Sequence, residues 1–292
     1  MNFLDFSSSL TINDESCITI GSFDGFHLAH KFLINLTLKM SKFLNMKSLI
    51  FTFVEHPHLN RDLILTKEEK LEMIKNFGFD YLILLKRDIF DIKSEDFLRI
   101  LKHKYKVKWI VIGYNHRFGN NREGDRMLLS RSIEDFGFGL TIVPPIDFEG
   151  IEISSSNIRR LIKDGNIDLA NKLLGYNYFI RGEVIKGKGL GKKLGFPTIN
   201  IKFNQEKLIP KQGVYLSKVF IREKAYYSAT YVNQLIESYI FDFNEEIYGE
   251  LVKVEFIKFI SEAKKFDNLD DLKKKIEKDV NIALNFLSEQ PL

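Results

Sequence analysis

The sequence predicts an α/β protein of two domains: a parallel sheet covered by helices, then an antiparallel barrel or sandwich with a helix after it. Three observations carry this prediction. Short apolar runs alternate with helical patterns in the first part of the chain, which is typical of a parallel sheet with helices on both faces. After Gly175, strand patterns follow one another with little helix between them. A long amphipathic pattern comes last, at 268–287.

In the first domain, the apolar runs predict strands and the amphipathic stretches between them predict helices. At the helix of 67–77, Thr66 is the expected cap, and Glu69 completes a capping box. Because ligands of such sheets bind beyond the carboxyl ends of the strands, the segment after the first strand is predicted to lie at a binding edge. The predicted strands are 17–20, 48–53, 81–85, 109–112 and 140–143, and the predicted helices are 29–44, 67–77, 94–104 and 125–136.

Two further helices, 155–163 and 167–174, complete the first domain, so we place the domains at 1–174 and 175–292. The alternating apolar residues of "LVKVEFIKF" are those of a half-buried strand. The predicted strands of the second domain are 178–185, 198–202, 214–221, 226–232, 239–243 and 251–260, and the last helix presents the stripe Leu269, Leu272, Ile276, Val280, Ala283 and Leu287.

Composition excludes several classes of protein. Of the 292 residues, 45% are apolar and 28% charged, and the net charge is only +4, so charge does not predict nucleic-acid binding and the lysines are read as a solvated surface. Cys17 is the one cysteine, which excludes an intramolecular disulfide and favours a small buried side chain. No basic and apolar leader and no run of ~20 apolar residues is visible. We therefore expect a cytoplasmic protein without a membrane partner.

The stretch "GSFDGFHLAH", 21–30, follows the first predicted strand. Its glycines permit a tight turn and close approach of the backbone to a ligand. A helix that begins near Leu28 would offer free N–H groups to an anion. His27 and His30 share a face there, and as cations or as neutral N–H donors they would stabilise charge on a phosphoryl group. The alternative is that the two histidines merely cap a helix.

This stretch resembles the H-x-G-H signature of nucleotidylyltransferases, in the F-D-G-x-H form typical of bacterial FAD synthetases, with Ala29 where the family usually has glycine. The resemblance implies a Rossmann-like nucleotidyltransferase domain with His27 and His30 as catalytic residues. It also implies a set of nucleotide-binding residues in the turn: Gly21, Phe23, Asp24 and Gly25.

Two further motifs agree with this family. "IGYNHRFGNNREGD", 112–125, resembles the family's V-G-x-N/D-F-x-F-G stretch, which implies that Asn115 contacts FMN. "ISSSNIRR", 153–160, resembles I-S-S-T-x-I-R, which grips the triphosphate; the matching residues are Ser155, Ser156 and Arg159. Hydroxyls at a helix start and a guanidinium fork suit that ligand. In "TFVEHPH", 52–58, we favour a structural or substrate-pocket role for His56 and Pro57.

The reaction implied for the first domain is adenylyl transfer. The FMN phosphate attacks the α-phosphorus of ATP, and FAD and pyrophosphate are formed. Positioning and charge neutralisation do most of the catalysis in such a step. Mg²⁺ is expected with ATP, although no dense carboxylate cluster marks a cage built by the protein.

The stretch "GKGLGKKLGFPTIN", 187–200, lacks the spacing of a Walker P-loop and precedes a strand. Its tail resembles the G-x-P-T-A-N motif of riboflavin kinases. The resemblance implies that Thr198 and Asn200 hold Mg²⁺ and ATP, and that Lys192 approaches the phosphates. "ESYIFDFNEEIYG", 237–249, resembles the family's E-x-H-I-L-D-F stretch, so Glu237 would accept the proton of the riboflavin 5′-hydroxyl. Without the resemblance, the favoured interpretation of Glu237 is a surface residue before a strand.

The resemblance covers essentially the whole chain and identifies it as a bifunctional riboflavin kinase and FMN adenylyltransferase, with a small β-barrel as its second domain. The V-G-x-N-P-T-F loop that relatives carry before the glutamate is absent, because only "SATYVNQLIES", 228–238, stands there. Two alternatives follow: an FAD synthetase whose barrel binds flavin without phosphorylating it, and a non-enzymatic flavin sensor. Riboflavin, FMN and ATP are the expected small-molecule partners, and the sequence does not identify any protein partner.

Overall fold

The computed structural model describes residues 1–53, 55, 62–187 and 189–288. These residues form two compact units, Met1–Ser155 and Ser156–Leu292. The units divide earlier than the boundary that we predicted near Gly175, because the helix Ile167–Leu174 packs on a strand of the second unit, Leu251–Glu262. Where the two functional domains divide stays a prediction.

The first unit is built on a parallel sheet in the order β1-β4-β3-β2-β5-β6. β2 is a central strand with β3 on one side and β5 on the other. The short edge strand β1 pairs with β4 and carries too few apolar residues for sequence patterns to reveal it. The strands are β1 (Asn2–Asp5), β2 (Ser16–Gly21), β3 (Lys47–Phe53), β4 (Tyr81–Leu85), β5 (Val107–Gly113) and β6 (Gly139–Val143).

Helices cover both faces of this sheet, as predicted. On one face Phe51 and Ile83 pack with Phe97 and Leu101 of the third helix. On the other face Cys17 packs with side chains of the first helix, and burial raises the pKa of its thiol to about 12. The helices are α1 (Leu28–Phe43), α2 (Lys67–Lys75), α3 (Ser94–Lys104) and α4 (Arg126–Phe136), joined by 3₁₀ turns at Arg87–Asp91 and Asn120–Arg122 and by the hairpin β7 (Asp147–Phe148) and β8 (Ile151–Glu152).

The second unit is a closed barrel in the order β10-β13-β12-β11-β14-β9. The strand pattern predicted either a barrel or a sandwich, and the structure forms a barrel. The strands are β9 (Phe179–Ile185), β10 (Thr198–Phe203), β11 (Gly213–Ile221), β12 (Lys224–Val232), β13 (Ile236–Ile240) and β14 (Leu251–Glu262), and the helices are α5 (Ser155–Asp164), α6 (Ile167–Leu174), α7 (Leu190–Leu194) and α8 (Leu269–Ser288).

One predicted strand of the barrel is wrong in its position. We predicted a strand at 239–243, whereas β13 covers Ile236–Ile240. The strand cannot continue, because Asp242 has a φ of 55°, which lies outside the extended region. The helix α8 packs on β11, β12 and β14, with Val280 and Ala283 of the predicted stripe buried and Leu269 exposed.

No helix among the described residues is long and apolar enough to cross a membrane.

Replacing Thr66 with alanine should lower the free energy of unfolding of the first unit by about 1 kcal/mol. The Thr66 hydroxyl accepts from the Glu69 N–H at 3.4 Å, and the Glu69 carboxylate accepts from the Thr66 N–H at 2.9 Å. The measurement is urea unfolding followed by circular dichroism. The control is Thr66→Ser, which keeps the hydroxyl, and an equal loss in both variants would contradict a role for the cap.

Candidate functional site

A sharp turn, Ser22–His27, joins β2 to α1 at the carboxyl edge of the parallel sheet. From β2 the chain passes to β3 on one side, and β5 occupies the other side. Such a point, where the strand order reverses, opens a crevice between the loops that follow the two strands. The turn after β2 and the loop after β5 therefore meet at the position where a ligand is expected.

The backbone of this turn is held in an unusual conformation. Phe23, Gly25 and Phe26 have φ values of 48°, 89° and 38°. A Cβ on Gly25 would lie 3.0 Å from the Ile64 side chain, and one on Gly21 would lie 3.2 Å from the Phe23 ring. The phenylalanine rings pack on each other with centroids 5.8 Å apart and are buried. Both glycines thus serve close packing of the turn, and their contact with a nucleotide stays a prediction.

Polar contacts fix the same turn from three directions. The Asp24 carboxylate accepts hydrogen bonds from the N–H groups of Ile64 and Leu65, at 3.4 and 3.1 Å. The Asp24 carbonyl accepts from the Ser155 hydroxyl at 2.8 Å, and the Ser22 carbonyl accepts from the Thr52 hydroxyl at 3.3 Å. Asp24 and Ser155 therefore hold the turn in place, and their predicted contacts with nucleotide stay predictions.

The two histidines form a stacked pair at the start of α1. Their ring centroids are 3.5 Å apart, and His27 Nδ1 accepts the His30 N–H at 3.3 Å, which caps the helix. An accepting Nδ1 places the proton of a neutral His27 on Nε2. His27 is thus both a helix cap and a potential N–H donor, so the two interpretations of the sequence are compatible.

His30 is electrostatically biased toward the neutral state. Burial, His27 and Lys70 together hold the pKa of His30 well below its usual value. Within the described residues, His30 Nδ1 is buried and makes no hydrogen bond. At neutral pH His30 can therefore assist an anion by donating a hydrogen bond from a fixed position, rather than by carrying positive charge.

Asn115 lies in the loop that follows β5, at the same edge of the sheet. Its side-chain amide donates to the Glu152 carboxylate at 3.5 Å. Beside it, the Arg126 guanidinium stacks on the Tyr114 ring, 3.5 Å from its centroid. Sequence patterns predicted neither the contact of Asn115 with Glu152 nor that of Arg126 with Tyr114. Both contacts depend on how the loops meet.

Four further residues named from the sequence for this half of the chain are Ser156, Arg159, His56 and Pro57. Ser156 and Arg159 lie on α5 in the second unit, so their contact with a nucleotide stays a prediction. His56 and Pro57 lie outside the described residues.

The second unit contains a cavity of about 260 Å³ between the outer face of the barrel and α8. Its walls carry the rings of Phe196, Tyr231, Tyr239 and Phe266, which makes it suitable for a flat aromatic ligand. Two predicted residues, Thr198 and Glu237, open into it. Helix α8 contributes Leu272, Lys275, Ile276, Asp279 and Val280.

Strand register places Glu237 among the other predicted residues of this site. Asn200 of β10 pairs directly with Glu237, and Thr198 pairs with Tyr239, so all four lie on one face of the barrel wall. On its other side Glu237 pairs with Tyr231. Burial, and the nearby Glu237, raise the pKa of Tyr231. The half-buried carboxylate thus lies beside oxygen-bearing side chains at the cavity wall.

The glycine-rich segment before β10 includes a short helix, α7, that the sequence did not predict. Leu190, Gly191 and Leu194 of this segment line the cavity, whereas Lys192 is exposed and is not part of its wall. A Cβ on Gly187 would lie 2.1 Å from the Asn200 amide nitrogen. Because Gly187 has no side chain, the Asn200 side chain can occupy this space.

The turn from β12 to β13 is short, as the absence of the family's loop predicts. Asn233 donates its N–H to the Leu235 carbonyl at 3.0 Å, and the strands pair directly from Val232 and Ile236. The predicted catalytic residue keeps its place on the strand, because Glu237 follows Ile236 in β13.

No group of three or more His, Cys, Asp or Glu residues within the described part of the chain is arranged to hold a metal ion. Thr198 and Asn200 instead offer an uncharged hydroxyl and an amide oxygen. Mg²⁺ prefers oxygen ligands and is commonly held by one or two protein groups together with substrate phosphates. The residues present fit a magnesium ion that enters with ATP.

Comparisons with known proteins match both parts of the chain. A family model described as FAD synthetase matches residues 9–157, and one described as riboflavin kinase matches residues 174–287. The bifunctional riboflavin kinase/FMN adenylyltransferase of Bacillus subtilis strain 168 is 31% identical, over 94% of this chain and 93% of its own. The protein of that name from Escherichia coli K12 is 30% identical, over 93% of each chain.

A solved structure is also similar over the whole length. It is a crystal structure from Streptococcus pneumoniae that is titled a macrolide-efflux protein, and it is 28% identical with a TM-score of 0.87. The similarity covers 98% of this chain and 99% of that one.

Proposed function

The chain belongs to the family of bifunctional riboflavin kinases/FMN adenylyltransferases, and we propose that it makes FAD from riboflavin in two ATP-dependent steps, one in each of the two predicted domains. The barrel phosphorylates riboflavin to FMN. The parallel-sheet unit transfers an adenylyl group to FMN and releases pyrophosphate. The observation that carries this proposal is that the two family models match successive parts of the chain, and that each matched part contains one of the two sites.

In the kinase step, Glu237 acts as the general base. It takes the proton of the riboflavin 5′-hydroxyl as the oxygen attacks the γ-phosphorus of ATP, and ADP leaves. The aromatic walls of the cavity hold the isoalloxazine ring and exclude water from the reacting atoms. This assignment is supported by the register that sets Glu237 directly opposite Asn200.

ATP and Mg²⁺ are the cosubstrate and cofactor of this chemistry. Thr198 and Asn200 would hold the ion beside the phosphates, and Lys192 would approach the phosphates from α7. When bound, the ion neutralises charge on the phosphate oxygens.

In the adenylyl step, an FMN phosphate oxygen attacks the α-phosphorus of ATP. The Nε2–H of His27 donates to an oxygen of that phosphate as negative charge builds and pyrophosphate leaves. The N–H groups at the start of α1 add to this stabilisation. We assign Ser155, Ser156 and Arg159 to the triphosphate and Asn115 to FMN. The site is proposed to operate in the cytoplasm, which the single buried Cys17 supports.

The proposal is tested by incubating the purified protein with riboflavin, ATP and Mg²⁺ and separating the flavins by chromatography. FMN should appear first and FAD after it. If FAD formed from added FMN but never from riboflavin, the barrel would bind flavin without phosphorylating it. If neither product formed, the family's activities would not apply to this chain.

Replacing Gly187 with alanine should impair the kinase alone. The new methyl group would displace the Asn200 side chain, and the loss of one hydrogen bond to a charged ligand should raise the KM for MgATP by about tenfold. The measurement is the initial rate of FMN formation at varied MgATP. The Gly187→Ala/Asn200→Ala double variant should be no worse than Asn200→Ala, since both changes remove the same contact. Fully additive losses would contradict this explanation.

A further inference from the structure

Lys70, on α2, is a buried lysine that reaches the turn after β2. It is only 5% exposed. Its ammonium donates to the carbonyl of Phe53, the last residue of β3, at 2.6 Å, and to the carbonyl of Ser22, the first residue of the turn, at 3.4 Å. Lysine is rarely buried so completely unless it is paired. Here its hydrogen-bond acceptors among the described residues are backbone carbonyls.

The charge of Lys70 acts on the residues of the first site. Burial lowers the pKa of Lys70 to about 8, and the charge of Asp24 opposes that shift. In turn, Lys70 is one of the groups that lower the pKa of His30. The ammonium, the carboxylate of the turn and the histidine therefore interact at the carboxyl edge of the sheet.

A purely structural tie between two carbonyls does not require a charge, since a neutral amide donor forms the same hydrogen bonds without the cost of burying an ammonium. A positive charge at this edge has a second effect, because it opposes protonation of His30. It also favours a polyanion at the adjoining turn.

We propose that Lys70 is a positioning residue of the adenylyl-transfer site: it ties the ends of β2 and β3 together beneath the turn and places a positive charge beside His30. The stacked pair then remains in the arrangement in which His27 accepts the His30 N–H at Nδ1 and keeps its proton on Nε2 for the phosphate. This inference rests on the adenylyl transfer proposed for the first unit, and it adds a residue that the motifs did not include.

The test is the rate of FAD formation from FMN and ATP by Lys70→Gln, measured against pH. The glutamine side chain keeps an N–H donor but removes the charge. We expect the rate at neutral pH to fall by about tenfold, less than the 10²–10³-fold typical of a lost direct donor. Lys67→Gln is the matched control, because Lys67 is an exposed lysine of the same helix, and its rate should equal that of the unaltered protein.

The pH profile separates an electrostatic role from a structural one. Removing the cation raises the pKa of His30, so the acid limb of the profile should move to higher pH in Lys70→Gln. In the unaltered protein the rate should also fall as pH rises through about 8, where Lys70 loses its proton, and the variant should lack this limb. The described titratable groups that interact with Lys70 are Asp24 and His30, and His27 also acts on His30; all three remain in the variant.

Each outcome decides the matter. If the pH profile of Lys70→Gln had the same acid and alkaline limbs as that of the unaltered protein, whatever its absolute rate, the inference would be overturned. Lys70 would then be a structural tie only. If Lys70→Gln did not fold, Lys70→Arg and the alkaline limb of the unaltered protein would decide: a rate that is flat through pH 8 overturns it. Absence of FAD formation by the unaltered protein would instead refute the proposed function.

Discussion

FMN formation should fall by about 10²- to 10⁴-fold when Glu237 is replaced by glutamine, while FAD formation from added FMN stays unchanged. Glutamine has nearly the same shape and can still pair with its neighbours on β10 and β12, but it cannot accept a proton from the riboflavin hydroxyl. The loss should appear in kcat rather than in the KM for riboflavin, because the cavity walls that bind the flavin are untouched.

The measurement is the separate assay of both steps on one preparation. Glu246→Gln is the matched control, since Glu246 is an exposed carboxylate in the same unit, and it should leave both rates unchanged. An equal loss of both activities in folded Glu237→Gln protein would contradict the assignment of two sites.

FAD formation should fall by about 10²–10³-fold when His27 is replaced by alanine, while FMN formation from riboflavin stays unchanged. The variant loses the Nε2–H donor. It also loses the cap that His27 Nδ1 provides to α1, which should lower the free energy of unfolding by about 1 kcal/mol.

His27→Asn separates these two losses. Asparagine is among the strongest N-caps, so this variant should recover the stability lost in His27→Ala but not the rate of FAD formation. Thermal unfolding and the FMN-plus-ATP assay measure the two quantities. Recovery of the rate together with the stability would show that His27 serves only to cap the helix.

Much of this fold follows from local pattern. The predicted helices 94–104 and 167–174 have the observed bounds, because apolar periodicity and flanking turn residues agree there. Patterns fail where the backbone conformation of one residue sets the end of an element, as Asp242 does after β13. They also fail for α7, which forms within a glycine-rich segment that has no apolar stripe.

The site is predictable where its residues are adjacent in the chain and hidden where they meet through the fold. The turn 21–30 and the strand residues Thr198 and Glu237 are visible as motifs. Lys70 is separated from Ser22 by two elements of the chain, α1 and β3, and the single signal in the sequence is its place on the buried side of α2, four residues before Ile74. Asp279 and Lys275 line the cavity of the second unit through the docking of α8.

The central claim is that one chain has two separate sites, and that ATP is attacked at a different phosphorus atom in each of them. Its most direct test supplies riboflavin, FMN and ATP labelled at either the α or the γ phosphorus to the two single variants. Glu237→Gln should place α-label in FAD and no γ-label in any flavin, whereas His27→Asn should place γ-label in FMN and no α-label in any flavin. If one folded variant lost both labels, or both variants lost the same label, the account would be contradicted.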